Sequence, residues 1–231
     1  MSEADLFIDE RLVGVCAYCG AKADSKDHVP SKTLLDEPYP PNLPTADSCQ
    51  ECNHGFSASE EYLSCLIECV VQGTTTPSDK FRAKVAATLK VKPAISQKIE
   101  TGKTLHESGG LIWQPDWNCV REVVIKLARG HIAHELGFQR TDEPMVFEVS
   151  PIASMSDIEY QIFNSLDDEA GLLYPEIGSR AFIGMFSNKE TAYGAWRIVQ
   201  PGRYRYAIGQ SSGDWVRLVI SEYLACRVAW D

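Results

Sequence analysis

The sequence predicts an α+β protein built in three successive parts: a small metal-braced module, a run of helices and a C-terminal antiparallel sheet. Three observations predict it. Two Cys-x2-Cys pairs, Cys16–Cys19 and Cys49–Cys52, stand in an opening segment rich in Gly, Pro and Asp. Apolar residues then recur at helical spacing from Ser57 onward. After Pro144 the chain turns to β-branched and aromatic runs separated by turn residues. The expected division is a module over 1–72 and an α+β domain over 73–231, with helices within 79–137 and mainly strands over 144–231.

Each element has its local reason. In SASEEYLSCLIECVVQ, Tyr62, Leu63, Leu66, Ile67 and Val70 share one helical face. Ser57 or Ser59 is the expected N-cap, and Glu60 and Glu61 suit the positive end of the helix dipole. GTTTPS breaks that helix. Short helices are expected near 79–90 and 94–101, and a longer amphipathic one from Asp116 to Leu136, stopped by Gly137. MVFEVS, RAFIGMF, AWRIV, RYRYAIG, WVRLVIS and YLACRVAW are the expected strands, interrupted by a helix near 156–166.

Composition bounds the function. The 231 residues carry 22 Lys or Arg and 32 Asp or Glu, a formal net charge of −10. A broadly basic coat for DNA or anionic lipid is excluded. The charge is uneven: 4 basic and 11 acidic side chains over 1–60, 7 and 5 over 61–108, 11 and 16 over 109–231. In the positive middle stretch, Lys80, Arg82 and Lys84 are candidate phosphate contacts, against the alternative of a solvated helix face. No run approaches the ~20 apolar residues of a spanning helix, and MSEADLFIDE has no signal-peptide pattern, so a cytoplasmic protein without a membrane partner is expected.

With no export signal, eight cysteines point to metal or buried thiols. Two C-x2-C turns, with 29 residues between Cys19 and Cys49, suit one tetrahedral structural zinc ion held by four thiolates. Cys65, Cys69, Cys119 and Cys226 have apolar neighbours and are expected in the core. His131 and His134, three apart on the long helix, are expected at its surface or terminus. Tyr204 and Tyr206 are expected inside, with Arg203 and Arg205 on the opposite face.

The segment between the cysteine pairs holds Asp27-His28-Val29-Pro30, then Asn42-Leu43, with Asn53 directly behind Cys52. In this order CAYC, DHVP, NL and CQECN resemble the zinc-stabilised HNH endonucleases, the ββα-metal (treble-clef-like) nucleases, over roughly residues 12–72. The resemblance implies phosphodiester hydrolysis of nucleic acid, DNA before RNA. It implies His28 as general base and Asn42 as the group that orients its ring. It also implies a catalytic Mg2+ or Mn2+ held by Asp27 and Asn53, with His54 as rival ligand. Where the family places Lys or Arg after its C-N step, this chain has His54-Gly55-Phe56-Ser57-Ala58-Ser59-Glu60-Glu61. The larger C-terminal domain is expected to select substrate, a protein partner or a homo-oligomeric state. The alternative is a zinc-stabilised module that binds nucleic acid or protein without cutting.

Overall fold

A computed structural model describes residues 14–105, 110–166, 175–187 and 190–231. The first 13 residues of the expected module, and 167–174 and 188–189 of the expected strand region, lie outside the described residues. The chain divides into two compact units, one of Met1–Gly55 with Val124–Asp231 and the other Phe56–Val123. The expected linear boundary at 72 thus falls within the second unit, at the end of a helix.

The first unit opens with a hairpin. Strands β1 (Ser25–His28) and β2 (Thr45–Ser48) pair antiparallel, with His28 opposite Thr45 and Asp27 opposite Ala46. Helix α1 (Gln50–Gly55) follows β2, its first amide held by the Asp24 carboxylate at 2.8 Å.

The second unit holds α2 (Ser57–Gln72), α3 (Ala83–Val91), α4 (Pro93–Thr101) and the hairpin of β3 (Lys103–Leu105) and β4 (Leu111–Trp113), which the sequence did not suggest. Neither expected serine caps α2. Its N-cap is Phe56 without a side-chain bond, and Ser59 is buried and donates to Glu122. Gly73, at φ 70°, ends the helix by donating its amide to Cys69 and Val70 carbonyls.

Helix α5 (Trp117–Leu136) belongs to both units. From Val124 onward it buries Val124, Leu127, Ala128, Ile132 and Leu136, but also Lys126, His131 and Glu135. Gly137, at φ 80°, follows its last residue, as expected. The sheet beyond has the order β5-β9-β8-β7-β6, from β5 (Val146–Pro151), β6 (Arg197–Gln200), β7 (Tyr204–Gln210), β8 (Asp214–Ile220) and β9 (Leu224–Ala229), all antiparallel. Every residue of β8 is buried, as suits the central strand. Helix α6 (Asp157–Asn164) carries a full capping box between Ser156 and Glu159.

RAFIGMF corrects the strand expectation. Arg180–Met185 is a helix, α7, because Ser179 accepts the Phe182 amide at 3.1 Å and so satisfies an orphan donor of its first turn. No helix among the described residues is long and apolar enough to cross a membrane.

Candidate functional site

The two C-x2-C turns converge. Gly20, at φ 74°, supplies the left-handed residue that closes the first, where its amide donates to the Cys16 carbonyl at 3.0 Å. The second runs into α1, where the Cys52 amide points at the Cys49 sulfur at 3.4 Å. Sulfur atoms of Cys16, Cys19, Cys49 and Cys52 all lie within 4.8 Å of one another, and Cys19 and Cys49 sulfurs are 3.7 Å apart. A tetrahedron of ~2.3 Å zinc–sulfur bonds has edges of about 3.8 Å, so the cluster could hold zinc. The thiols shift in opposite directions. Burial pushes Cys16 up, but bonds to backbone at Cys49, Tyr18 and Cys19 outweigh it and bring the thiol to about 7. Cys52 is raised by burial and by the thiols of Cys49 and Cys19. Four sulfurs so crowded need a cation to ionise together. Among the described residues, no other group of three or more His, Cys, Asp or Glu side chains converges in this way.

The hairpin carries the histidine. His28 is half-buried at the end of β1, and its Nδ1 is buried with no hydrogen-bond partner. Burial lowers its pKa below the usual histidine value; the ammonium groups of Lys32 and Lys126 lower it further, and Asp27 opposes them. These influences favour the neutral ring. Asn42 is exposed in a turn before β2 and does not orient this ring, since the nitrogen it would serve is unpartnered.

Asp27 lies the other way. Its Oδ2 receives the Tyr18 hydroxyl at 2.7 Å and sits 2.6 Å from the Lys126 ammonium. The Lys126 side chain is 1% exposed, and its ammonium also stands over the Tyr18 ring, 5.7 Å from the centroid. Asn53 turns its amide nitrogen back to β1, toward Ser25 Oγ at 3.2 Å and Lys26 O at 3.4 Å. His54 is exposed on α1. A catalytic Mg2+ or Mn2+ therefore does not fit the residues expected to hold it. Their one carboxylate is already neutralised by an ammonium, and a divalent ion takes several oxygen ligands, at least one of them an available carboxylate.

Lys126 is the residue that sequence reasoning missed, because a lysine on an amphipathic helix reads as solvated. The available signal is the i, i+4, i+8 stripe Lys126, Gly130, His134, which interrupts the apolar face of α5 with one small and two polar residues. Each stripe residue meets the hairpin segment. Lys126 meets Asp27, Gly130 faces Val29 and Tyr18, and His134 donates from Nδ1 to the Thr45 carbonyl at 3.0 Å.

The surface-or-terminus expectation for His131 is also corrected. His131 is fully buried, stacked 3.6 Å from Tyr206, with Nε2 2.8 Å from the Tyr204 hydroxyl. Both tyrosines are buried as expected, and the Tyr206 hydroxyl donates to Glu135 at 2.7 Å. Glu135 is buried against Arg197 at 3.3 Å and Arg180 at 3.6 Å, which explains how an acid survives there.

Of the basic trio, Arg82 is corrected. Its side chain is buried, paired with Glu68 at 2.8 Å and bonded to Ser64 at 2.6 Å, so it stitches α2 to the start of α3 instead of facing phosphates. Lys80 and Lys84 are exposed. Of the acidic pair after the C-N step, Glu60 is buried and Glu61 meets Lys92 at 2.6 Å. Cys65, Cys69 and Cys226 are buried as expected, whereas Cys119 is only half-buried.

A cavity of about 410 Å3 lies between α6 and the sheet, lined by Glu148, Ser150, Glu159, Phe163, Arg217 and Arg227 among others. None of the residues expected at a functional site lines it. No family model, no curated protein and no solved structure matches the chain.

Proposed function

We propose that the chain is an HNH-type endonuclease: a zinc-braced, treble-clef-like ββα module that hydrolyses phosphodiester bonds of nucleic acid, DNA in preference to RNA, with His28 as general base. The observation that carries this reading is His28, half-buried and with its pKa lowered chiefly by burial, on a hairpin whose two ends are tied by the four-cysteine cluster. A base must be unprotonated and rigidly placed to work, and the hairpin supports both.

In the proposed step, Nε2 of His28 takes a proton from water, and the water oxygen attacks phosphorus. The phosphorus–oxygen bond to the leaving sugar breaks, and that sugar oxygen takes a proton from solvent. Lys32, exposed and close enough to act on the His28 ring, is placed to meet a phosphate oxygen. Zinc has no part in the chemistry; it would fix the hairpin and α1. Lys80 and Lys84 remain the proposed phosphate contacts of the second unit, and the C-terminal sheet region is the proposed selector of substrate, partner or a second copy of the chain.

The test is cleavage of single- and double-stranded DNA and RNA by zinc-loaded protein. His28→Ala is expected to lower the rate by about 10²–10⁴, with zinc content and circular dichroism unchanged. Undiminished cutting by His28→Ala overturns the assignment. One observation favours a second reading, a zinc-stabilised binding module that does not cut: the unpartnered Nδ1 of His28, with Asn42 turned to solvent. Binding to any of the four substrates without cleavage would decide for it.

A further inference from the structure

We propose that the Lys126 ammonium takes, at Asp27, the place of a divalent ion, so that the His28 centre works without Mg2+ or Mn2+. The proposal rests on the nuclease reading for its consequence, but the cation exchange itself stands on geometry.

An ammonium is withdrawn from water only where a carboxylate and further partners compensate it. Lys126 has such a set: Asp27 Oδ2 at 2.6 Å, the Tyr18 ring beneath it, and the Tyr18 hydroxyl donating to the same oxygen at 2.7 Å. The approach is built into the helix. One turn on from Lys126, Gly130 lies so close to the hairpin that a Cβ would stand 2.6 Å from Val29 Cγ2 and 3.2 Å from the Tyr18 hydroxyl. Another turn on, His134 bonds the Thr45 carbonyl, opposite His28 in the register. The helix is thus held on the hairpin at three levels, and the ammonium is carried in by the middle of the fold, not by a mobile surface side chain.

Charge excludes a second cation. Asp27 contributes one negative charge, and Lys126 cancels it. Among the described residues, no group of three or more His, Cys, Asp or Glu side chains converges on that position. A divalent ion there would meet a buried ammonium and no net negative charge. The positive charge that a metal would lend to the phosphate is left to the exposed Lys32 beside His28, while Lys126 only fills the cation's place at Asp27.

The test uses full-length zinc-loaded protein dialysed free of other divalent ions. Mn2+ is titrated in, and free Mn2+ is read by electron paramagnetic resonance, for the wild type and Asp27→Asn. Superimposable curves are expected; a site present in the wild type and absent from Asp27→Asn overturns the proposal. In parallel, cleavage is measured with and without millimolar Mg2+ or Mn2+, and equal rates are expected. Cleavage that appears only with the added ion overturns the proposal and leaves the nuclease reading standing. Absence of cleavage in both conditions counts against the nuclease reading alone, and the Mn2+ curves then decide the proposal.

Discussion

Gly130 of α5 faces Val29 of the segment after β1 at a distance that leaves no room for a methyl group: a Cβ would stand 2.6 Å from one Val29 methyl and 3.0 Å from the other. Val29 is fully buried, and its branched side chain has little rotamer freedom. Alanine gains about 1 kcal/mol over glycine in a helix, but overpacking a tight core costs typically 1–3 kcal/mol. Gly130→Ala is therefore expected to lower stability despite its better helix propensity. A thermal melt with an unchanged or raised midpoint would refute the close packing.

Breaking the Lys126–Asp27 pair from one side strands a charge. Lys126→Met leaves the Asp27 carboxylate buried, and a loss of about 3–5 kcal/mol is expected. Pairing it with Asp27→Asn removes both charges, and the double variant is expected to recover much of that loss. Additive losses in urea denaturation would show that the two side chains do not interact.

The cysteine cluster makes its own prediction. One zinc per chain is expected by elemental analysis, and stripping it should deprotect the amides of β1, β2 and α1 in hydrogen exchange. Cys49→Ser should reproduce that pattern, since a three-thiolate site holds the ion less tightly. Unchanged protection after zinc removal would leave the metal without a structural role.

Acid should weaken the first unit before its carboxylates protonate. His131 and His134 are held neutral chiefly by burial, His134 down to about 4. In the unfolded chain both take up protons near 6.5, so the unfolded state binds more protons between those values. Stability is therefore expected to be full above pH 6.5 and to fall as pH drops toward 4. His134→Gln should flatten that slope in melts taken across the window; an unaltered slope would place the effect elsewhere.

Lys32 tests the electrostatics around His28 without touching its fold. Lys32→Ala should raise the His28 pKa toward the ordinary histidine value, because one of the charges holding it down is gone. The ring proton shifts in a nuclear magnetic resonance titration read this directly. On the nuclease reading, the same variant should also cut more slowly at pH 7.

Much of this was legible in the sequence, for reasons that differ by element. The cysteine turns were legible because metal geometry dictates spacing, and α5 because a long apolar period ends at a glycine. Tyr204 and Tyr206 followed from strand alternation alone. RAFIGMF was misread because a six-residue apolar run has no period long enough to tell strand from helix, and its cap, Ser179, lies outside the run. Arg82 and His131 were misread, and Lys126 was missed, for another reason. Their partners, Glu68, Tyr206 and Asp27, come from other elements, and local pattern cannot reveal a partner supplied at long range.

The discontinuity of the first unit sets an order of assembly during synthesis. The ribosome releases the four cysteines before Phe56–Val123, so a nascent chain can capture zinc while the second half of the unit is still untranslated. The hairpin must then wait, because Lys126, Gly130 and His134 emerge only after the whole of Phe56–Val123 has been made. A truncation that stops after α2 therefore leaves Asp27 and Val29 uncovered. As a cloned fragment, the metal-bearing segment would be a half-finished piece and not a transplantable cassette.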